Sequence, residues 1–239
     1  MMLPNTSVRT SQRTKSVSLR EPFVPQPPPQ SMSRRRAWVM AAAVVLITSG
    51  VAMVNAAQLL SGTSLGIRGT RTPLTATLVE IVTCLTALAM AWLTVGWRPL
   101  GLTLPRRWDK AWDLTLVCGL AWIAMRACAV AAESLIAAGA PGPVPADNGF
   151  VLWPVLLTGI AEEVAAATVI VLLSIARTPV WAIIAVVAGY RAVAHLHLGV
   201  TAAAATVVWA AALALLMLRC RSVVPLAVAH IAHNATTLS

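Results

Sequence analysis

Apolar residues come along this chain in long unbroken runs. They show neither the alternation of a half-buried strand nor the one-sided stripe of a surface helix. The runs lie at about 37–60, 74–95, 112–138, 150–176, 180–198, 200–218 and 223–237. Crossing a hydrocarbon core of about 30 Å takes roughly 20 residues of helix, and all but the last run approach or exceed that length. Lipid offers the backbone no hydrogen bonds, so each crossing must be helical. The pattern predicts an all-α fold, a polytopic membrane helix bundle of about seven transmembrane helices.

The polar segments between the runs set the organisation. Residues 1–36 are rich in Ser, Pro, Gln and Arg and include Pro25, Pro27, Pro28 and Pro29, so they predict a disordered basic cytoplasmic tail. Ser33-Arg34-Arg35-Arg36 and Val54-Asn55-Ala56 have a faint look of a secretion signal and its cleavage site. The run between them is too long for a signal peptide and more runs follow, so it reads as an uncleaved anchor. Pro141, Pro143 and Pro145 mark a loop and Gly199 a turn. Three parts are expected: the tail, 1–36; N-terminal transmembrane helices and loops, 37–149; and a transmembrane core, 150–239, that carries the chemistry.

Composition and charge narrow the class. With 58% hydrophobic and 11% charged residues, the chain is no ordinary soluble domain. Of its 18 Lys and Arg residues, 14 fall in the tail and every second loop, two (Arg68 and Arg71) in the other loops, and two (Arg126 and Arg191) within runs. The positive-inside rule then puts the N-terminus in the cytoplasm and the C-terminus outside the cell membrane. The net charge of +10 sits beside apolar runs, which assigns it to the lipid bilayer; no nucleic-acid partner is expected. Cys84, Cys118, Cys128 and Cys220 form no CxxC pair and read as small buried apolar residues.

Polar residues inside the runs are the candidates for function. Glu162 and Glu163 sit mid-run, where a translocon scale sets an acidic residue at roughly +2.5 to 3.5 kcal/mol. All four histidines follow them: His195, His197, His230 and His233, the last beside Asn234. At a rise of about 1.5 Å per residue, Glu162 and His195 lie about 21 and 22 Å from the cytoplasmic ends of their helices, His230 about 12 Å and Asn234 about 18 Å. These depths let the groups meet within the membrane. Adjacent helical residues point about 100° apart, so Glu162 and Glu163 cannot both face one point. One faces a cavity and the other a neighbouring helix. A glutamate in apolar surroundings beside a histidine can activate water as a general base. His230 and Asn234, four apart, share a helical face and can direct two donors at one oxyanion. His195 and His197 face nearly opposite ways; His195 matches the depth of Glu162 and is the one chosen.

These residues resemble the CAAX-protease and bacteriocin-processing membrane proteases (the CPBP or Abi family), which include the type II CAAX prenyl endopeptidases. The family pattern is EExxxR, then FxxxH, then HxxxN or HxxxD, each on a membrane helix. Here the first motif reads Glu162-Glu163-Val164-Ala165-Ala166-Ala167, the second Arg191-Ala192-Val193-Ala194-His195, and the third His230-Ile231-Ala232-His233-Asn234. The resemblance spans about 150–238. It implies a glutamate-dependent intramembrane endopeptidase that is metal-independent and acts on a membrane-associated peptide or protein. Glu162 with His195 activates water in this picture, His230 and Asn234 hold the oxyanion, and Glu163 is a carboxylate of the site that supports these groups or is structural. Two positions depart from the pattern: Ala167 stands where the family has Arg, and Arg191 where it has Phe. The departures are read as linked, with Arg191 supplying from the next helix the cation missing at 167 and so supporting the site.

Two other classes stay open on the residues alone. One is a zinc enzyme, since Glu and His are legitimate ligands, although no HExxH helix is present. The other is a catalytically decayed relative acting as a membrane immunity, scaffold or transport protein. Arg126 and Glu133, seven apart, are expected to pair. Glu80 is expected to pair with Arg126 or Arg191 or to stay protonated. Tyr190 reads as packing, and Trp38, Trp97, Trp112 and Trp181 as interface anchors.

Overall fold

The computed structural model describes residues 32–61, 73–102, 108–140 and 152–237. Most of the expected tail, the loop holding Arg68 and Arg71, and the loop holding Pro141, Pro143 and Pro145 lie outside the described residues. Seven α-helices carry the chain: α1 (Arg34–Ser61), α2 (Pro73–Thr94), α3 (Trp108–Ala137), α4 (Leu152–Ile175), α5 (Val180–His195), α6 (Val200–Cys220) and α7 (Val224–Thr237). Among the described residues there is no strand. The protein is an all-helical membrane bundle, and each expected apolar run becomes one helix.

Among the described residues five helices are both long and apolar enough to cross a bilayer: α1, α2, α3, α4 and α6. The other two are shorter, with 16 residues in α5 and 14 in α7. The expected fifth run to 198 is cut back at His195, because the chain tightens into a 3-10 turn over Leu196–Leu198. Gly199 follows with φ 109°, a conformation open only to glycine, and α6 starts directly after it.

α4 occupies the middle of the bundle. It packs on α1, α2 and α7 and also meets α5 and α6. Its small residues Ala161, Ala165, Ala166 and Ala167 are all buried, which lets neighbouring backbones come close. Val164, Val169, Leu172 and Leu173 fill the core around them. α5 lies along α6, and α3 lies along α6 and α7. Outward-facing Leu46, Val51, Leu85, Leu93 and Ile123 are exposed, as lipid-facing side chains should be. Trp38, Trp97, Trp112 and Trp181 are exposed at or near helix ends, as interface anchors are. All four cysteines are free thiols.

Two contacts fix how α7 meets the rest. The turn after α2 docks on the turn between α6 and α7. There Val223 N–H donates to the Leu100 carbonyl at 2.9 Å and the Ser222 hydroxyl to the Gly101 carbonyl at 3.1 Å. A Cβ at Gly101 would strike the Arg221 carbonyl, so only glycine fits. The second contact is Gly159 of α4. A Cβ there would lie 3.3 Å from Ile231 Cγ1 and 3.6 Å from His230 Cγ, so the missing side chain lets α7 close onto α4.

Candidate active site

Glu162 and Glu163 leave α4 in different directions, as neighbours on a helix must. The Glu163 side chain is 2% exposed and that of Glu162 29%. Glu163 is therefore the carboxylate held within the protein, and Glu162 the one that opens outward. One cation answers both. Arg191 Nη2 donates to Glu162 Oε2 at 2.8 Å, and Arg191 Nη1 lies 2.8 Å from Glu163 Oε1. A planar guanidinium can reach two carboxylates at once, which a point-like ammonium does less well. The pairing also explains how Arg191, itself 2% exposed, is tolerated in the core of the bundle.

The histidines divide between the two glutamates. His230 reaches Glu163 from α7, its Nδ1–H donating to Oε1 at 2.9 Å. This contact is a direct consequence of the close approach at Gly159, one helical turn before Glu163 on the same face of α4. Arg191 Nη2 also comes within 3.4 Å of His230 Nδ1, so guanidinium and imidazole share the glutamate between them. His195 belongs to Glu162. Its Nδ1–H donates to the Arg191 carbonyl one turn back at 2.8 Å. A carbonyl only accepts, which places the proton of a neutral ring on Nδ1 and leaves Nε2 with a lone pair. That Nε2 lies 4.0 Å from Glu162 Oε2. The gap is too long for a direct hydrogen bond and suits a bridging water.

Of the residues the sequence singled out, Glu162, Glu163, Arg191, His195 and His230 are tied together by these contacts. Asn234 lies one turn past His230 on the same face of α7, half-buried. His197 falls in the 3-10 turn after α5. Glu80 does not take Arg191, whose guanidinium is occupied by the glutamate pair; it accepts a hydrogen bond at 3.0 Å from the Thr158 hydroxyl, one turn before Glu162. Arg126 and Glu133 form no ion pair with each other among the described residues: Glu133 is exposed, and Arg126 lies within electrostatic reach of His233 on α7.

Ala167, at the motif position that departs from the family, is buried. It borders a cavity of about 10 Å³ whose wall also includes Glu163, Arg191, Leu213 and Met217. An arginine side chain would not fit there with Arg191 in place.

Sequence reasoning missed Trp209. It is 7% exposed and stands mid-way along α6 with its ring against three site residues. Arg191 Cζ lies 4.3 Å from the ring centroid, the His195 ring 5.8 Å away edge-on, and the His230 ring 5.4 Å away edge-on. The signal was its depth: a tryptophan nine or more residues from either end of a spanning helix cannot reach the interface and needs another reason to be there.

Residues 146–236 match the family model described as "Rce1-like: Type II CAAX prenyl endopeptidase Rce1-like". The matched segment, less than half of the chain, holds α4 to α7 almost complete and contains Glu162, Glu163, Arg191, His195, Trp209, His230 and Asn234. No curated protein and no solved structure matches the chain significantly.

Proposed function

We propose that this membrane protein, whose residues 146–236 form an Rce1-like domain, is an intramembrane endopeptidase that hydrolyses a peptide bond of a membrane-associated peptide or protein. The observation that carries this reading is the 4.0 Å gap between Glu162 Oε2 and His195 Nε2. Both atoms are acceptors, so a water between them donates one proton to each and turns a lone pair outward. Glu162, the more exposed carboxylate, takes a proton as that water attacks the scissile carbonyl. The new C–O bond forms, the carbonyl oxygen becomes an oxyanion, and Glu162 returns its proton to the amine as the C–N bond breaks. His195 orients the water through Nε2.

Glu163 acts through His230. By accepting Nδ1–H it fixes the His230 ring, which with Asn234 one turn along α7 lines the oxyanion side of the site. Arg191 supplies the cation that the motif lacks at Ala167. We read the reaction as metal-independent. Arg191 already stands 2.8 Å from both carboxylates, where a divalent cation would meet its charge. The basic tail and loops put the N-terminus in the cytoplasm.

The test compares wild type with Glu162→Gln and His195→Ala, purified in detergent and incubated with quenched peptides and a solubilised membrane proteome. Cleavage, read by mass spectrometry, should fall by about 10²–10⁴-fold in Glu162→Gln with folding intact. Chelator should leave wild-type cleavage unchanged. Cleavage that survives both substitutions, or is lost to chelator and restored by zinc, would overturn the mechanism.

A further inference from the structure

We propose that Trp209 is a positioning residue, an aromatic platform on α6 that sets the relative orientation of Arg191, His195 and His230. The proposal rests on the endopeptidase reading for its activity readout and on geometry alone for its spectroscopic one.

Three site residues touch one ring. Arg191 stands over its face at 4.3 Å from Cζ to the centroid, within the range where a guanidinium is drawn to the negative face of an indole. His195 and His230 meet the ring at interplanar angles of 85° and 67°, the edge-to-face geometry that aromatic rings prefer over a sandwich. These residues come from two helices, α5 and α7, and Trp209 comes from a third. The ring is thus the common reference for groups that the backbone alone does not hold in register.

The hydrogen bonds show why such a reference matters. His195 donates Nδ1–H to a carbonyl of its own helix, and the edge of the Trp209 ring meets the same imidazole from α6. A swing that lengthens the 4.0 Å gap to Glu162 would lose the water bridge. Arg191 is held at both carboxylates, but a guanidinium tilted out of the plane of either would weaken one pair. The indole face keeps it flat, and the edge contact keeps His195 from rotating. His230, hydrogen-bonded to Glu163 at Nδ1, gains a second contact that directs Nε2.

An apolar filler would do none of this. Leu fills much of the space but has no π face, whereas Phe keeps the face and loses only the second ring. The two substitutions therefore separate filling from positioning. Trp209→Phe should keep kcat within about threefold of wild type, whereas Trp209→Leu should lower kcat by about 10- to 100-fold with KM changed less than about threefold. Melting temperatures of the two variants should agree. If the leucine variant turns over at the phenylalanine variant's rate, the platform role is wrong.

A second measurement needs neither substrate nor a folded leucine variant. 5-Fluorotryptophan is incorporated at all nine tryptophans, and the Trp209 fluorine resonance is assigned by its loss in Trp209→Phe. Arg191→Lys and His230→Gln should each move that resonance more than any other. A Trp209 signal that stays in place in both would overturn the proposal. If wild type cleaves nothing, the endopeptidase reading fails, while the fluorine shifts still decide on Trp209.

Discussion

α4 and α3 are both long apolar helices with charged residues inside a membrane bundle, and the fold treats them in opposite ways. The spanning window of α4 is 67% buried within the protein and that of α3 only 11%. On α4, Glu162 and Glu163 meet Arg191 and two histidines within hydrogen-bonding or ion-pairing distance. On α3, Glu133 is exposed and unpaired with Arg126, seven residues away. A charge in lipid is costly unless it finds a partner or reaches water. α4 takes the first route, because protein surrounds it. α3 takes the second for Glu133, one turn from its end at Ala137, where a long side chain can reach the interface. An intramembrane acid signals chemistry where the helix around it is enclosed, and says little where the helix faces lipid.

Removing Arg191 should break the enclosed half hardest. Arg191→Ala leaves two carboxylates without their cation and should cost about 3–5 kcal/mol, with activity lost. The position of the cation can then be tested against the cavity at Ala167. Ala167→Arg alone should destabilise the protein, because a cavity of about 10 Å³ cannot take the side chain while Arg191 occupies the site. In combination with Arg191→Phe it should recover stability and cleavage that Arg191→Phe alone loses. Thermal melts in detergent and the peptide assay read both. A double variant no better than Arg191→Phe would show that the two positions are not interchangeable.

Glu163→Gln is milder, since the amide oxygen still accepts from His230. It removes the charge that offsets Arg191 and should cost roughly 1–3 kcal/mol in stability. Cleavage should fall by about 10- to 100-fold, less than for Glu162→Gln. Equal losses in the two variants would erase the distinction between an outward base and an inward supporting carboxylate. Smaller again is Gly159→Ala. Its Cβ would sit 3.3 Å from Ile231 Cγ1, so α7 must give by a few tenths of an ångström, at a cost of about 1 kcal/mol. The loss should fall on kcat, as His230 moves with α7.

The helices were legible because membrane spans announce themselves by length and hydropathy. Glu162, His195 and His230 were legible because charge and imidazole stand out in an apolar run. What the sequence could not supply was partner choice. Arg191 and Glu80 were both candidates for each other, yet Arg191 turns to α4 and Glu80 to Thr158, a matter of which helix faces which. Glu163 read as a supporting or structural carboxylate, and spacing along one helix does not show that α7 brings His230 to it. Trp209 stayed hidden because an apolar aromatic in an apolar run carries no contrast. The early end of α5 at His195 was likewise invisible, since Leu196 and Leu198 continue the apolar pattern through the 3-10 turn.

The smallest effect is expected on α3, and it sharpens the comparison most. Glu133 is exposed and close to the end of its helix, so neither a partner nor a buried environment depends on its charge. Glu133→Gln should shift the melting temperature by less than about 2 °C and leave cleavage unchanged. On the proposed mechanism the same Glu→Gln change on α4 removes either the base or its support. Two isosteric substitutions in successive helices of the chain would then differ by orders of magnitude in rate. If Glu133→Gln instead lowers cleavage as Glu163→Gln does, α3 takes part in the site, and enclosure by protein is not what separates functional from tolerated charge in this bundle.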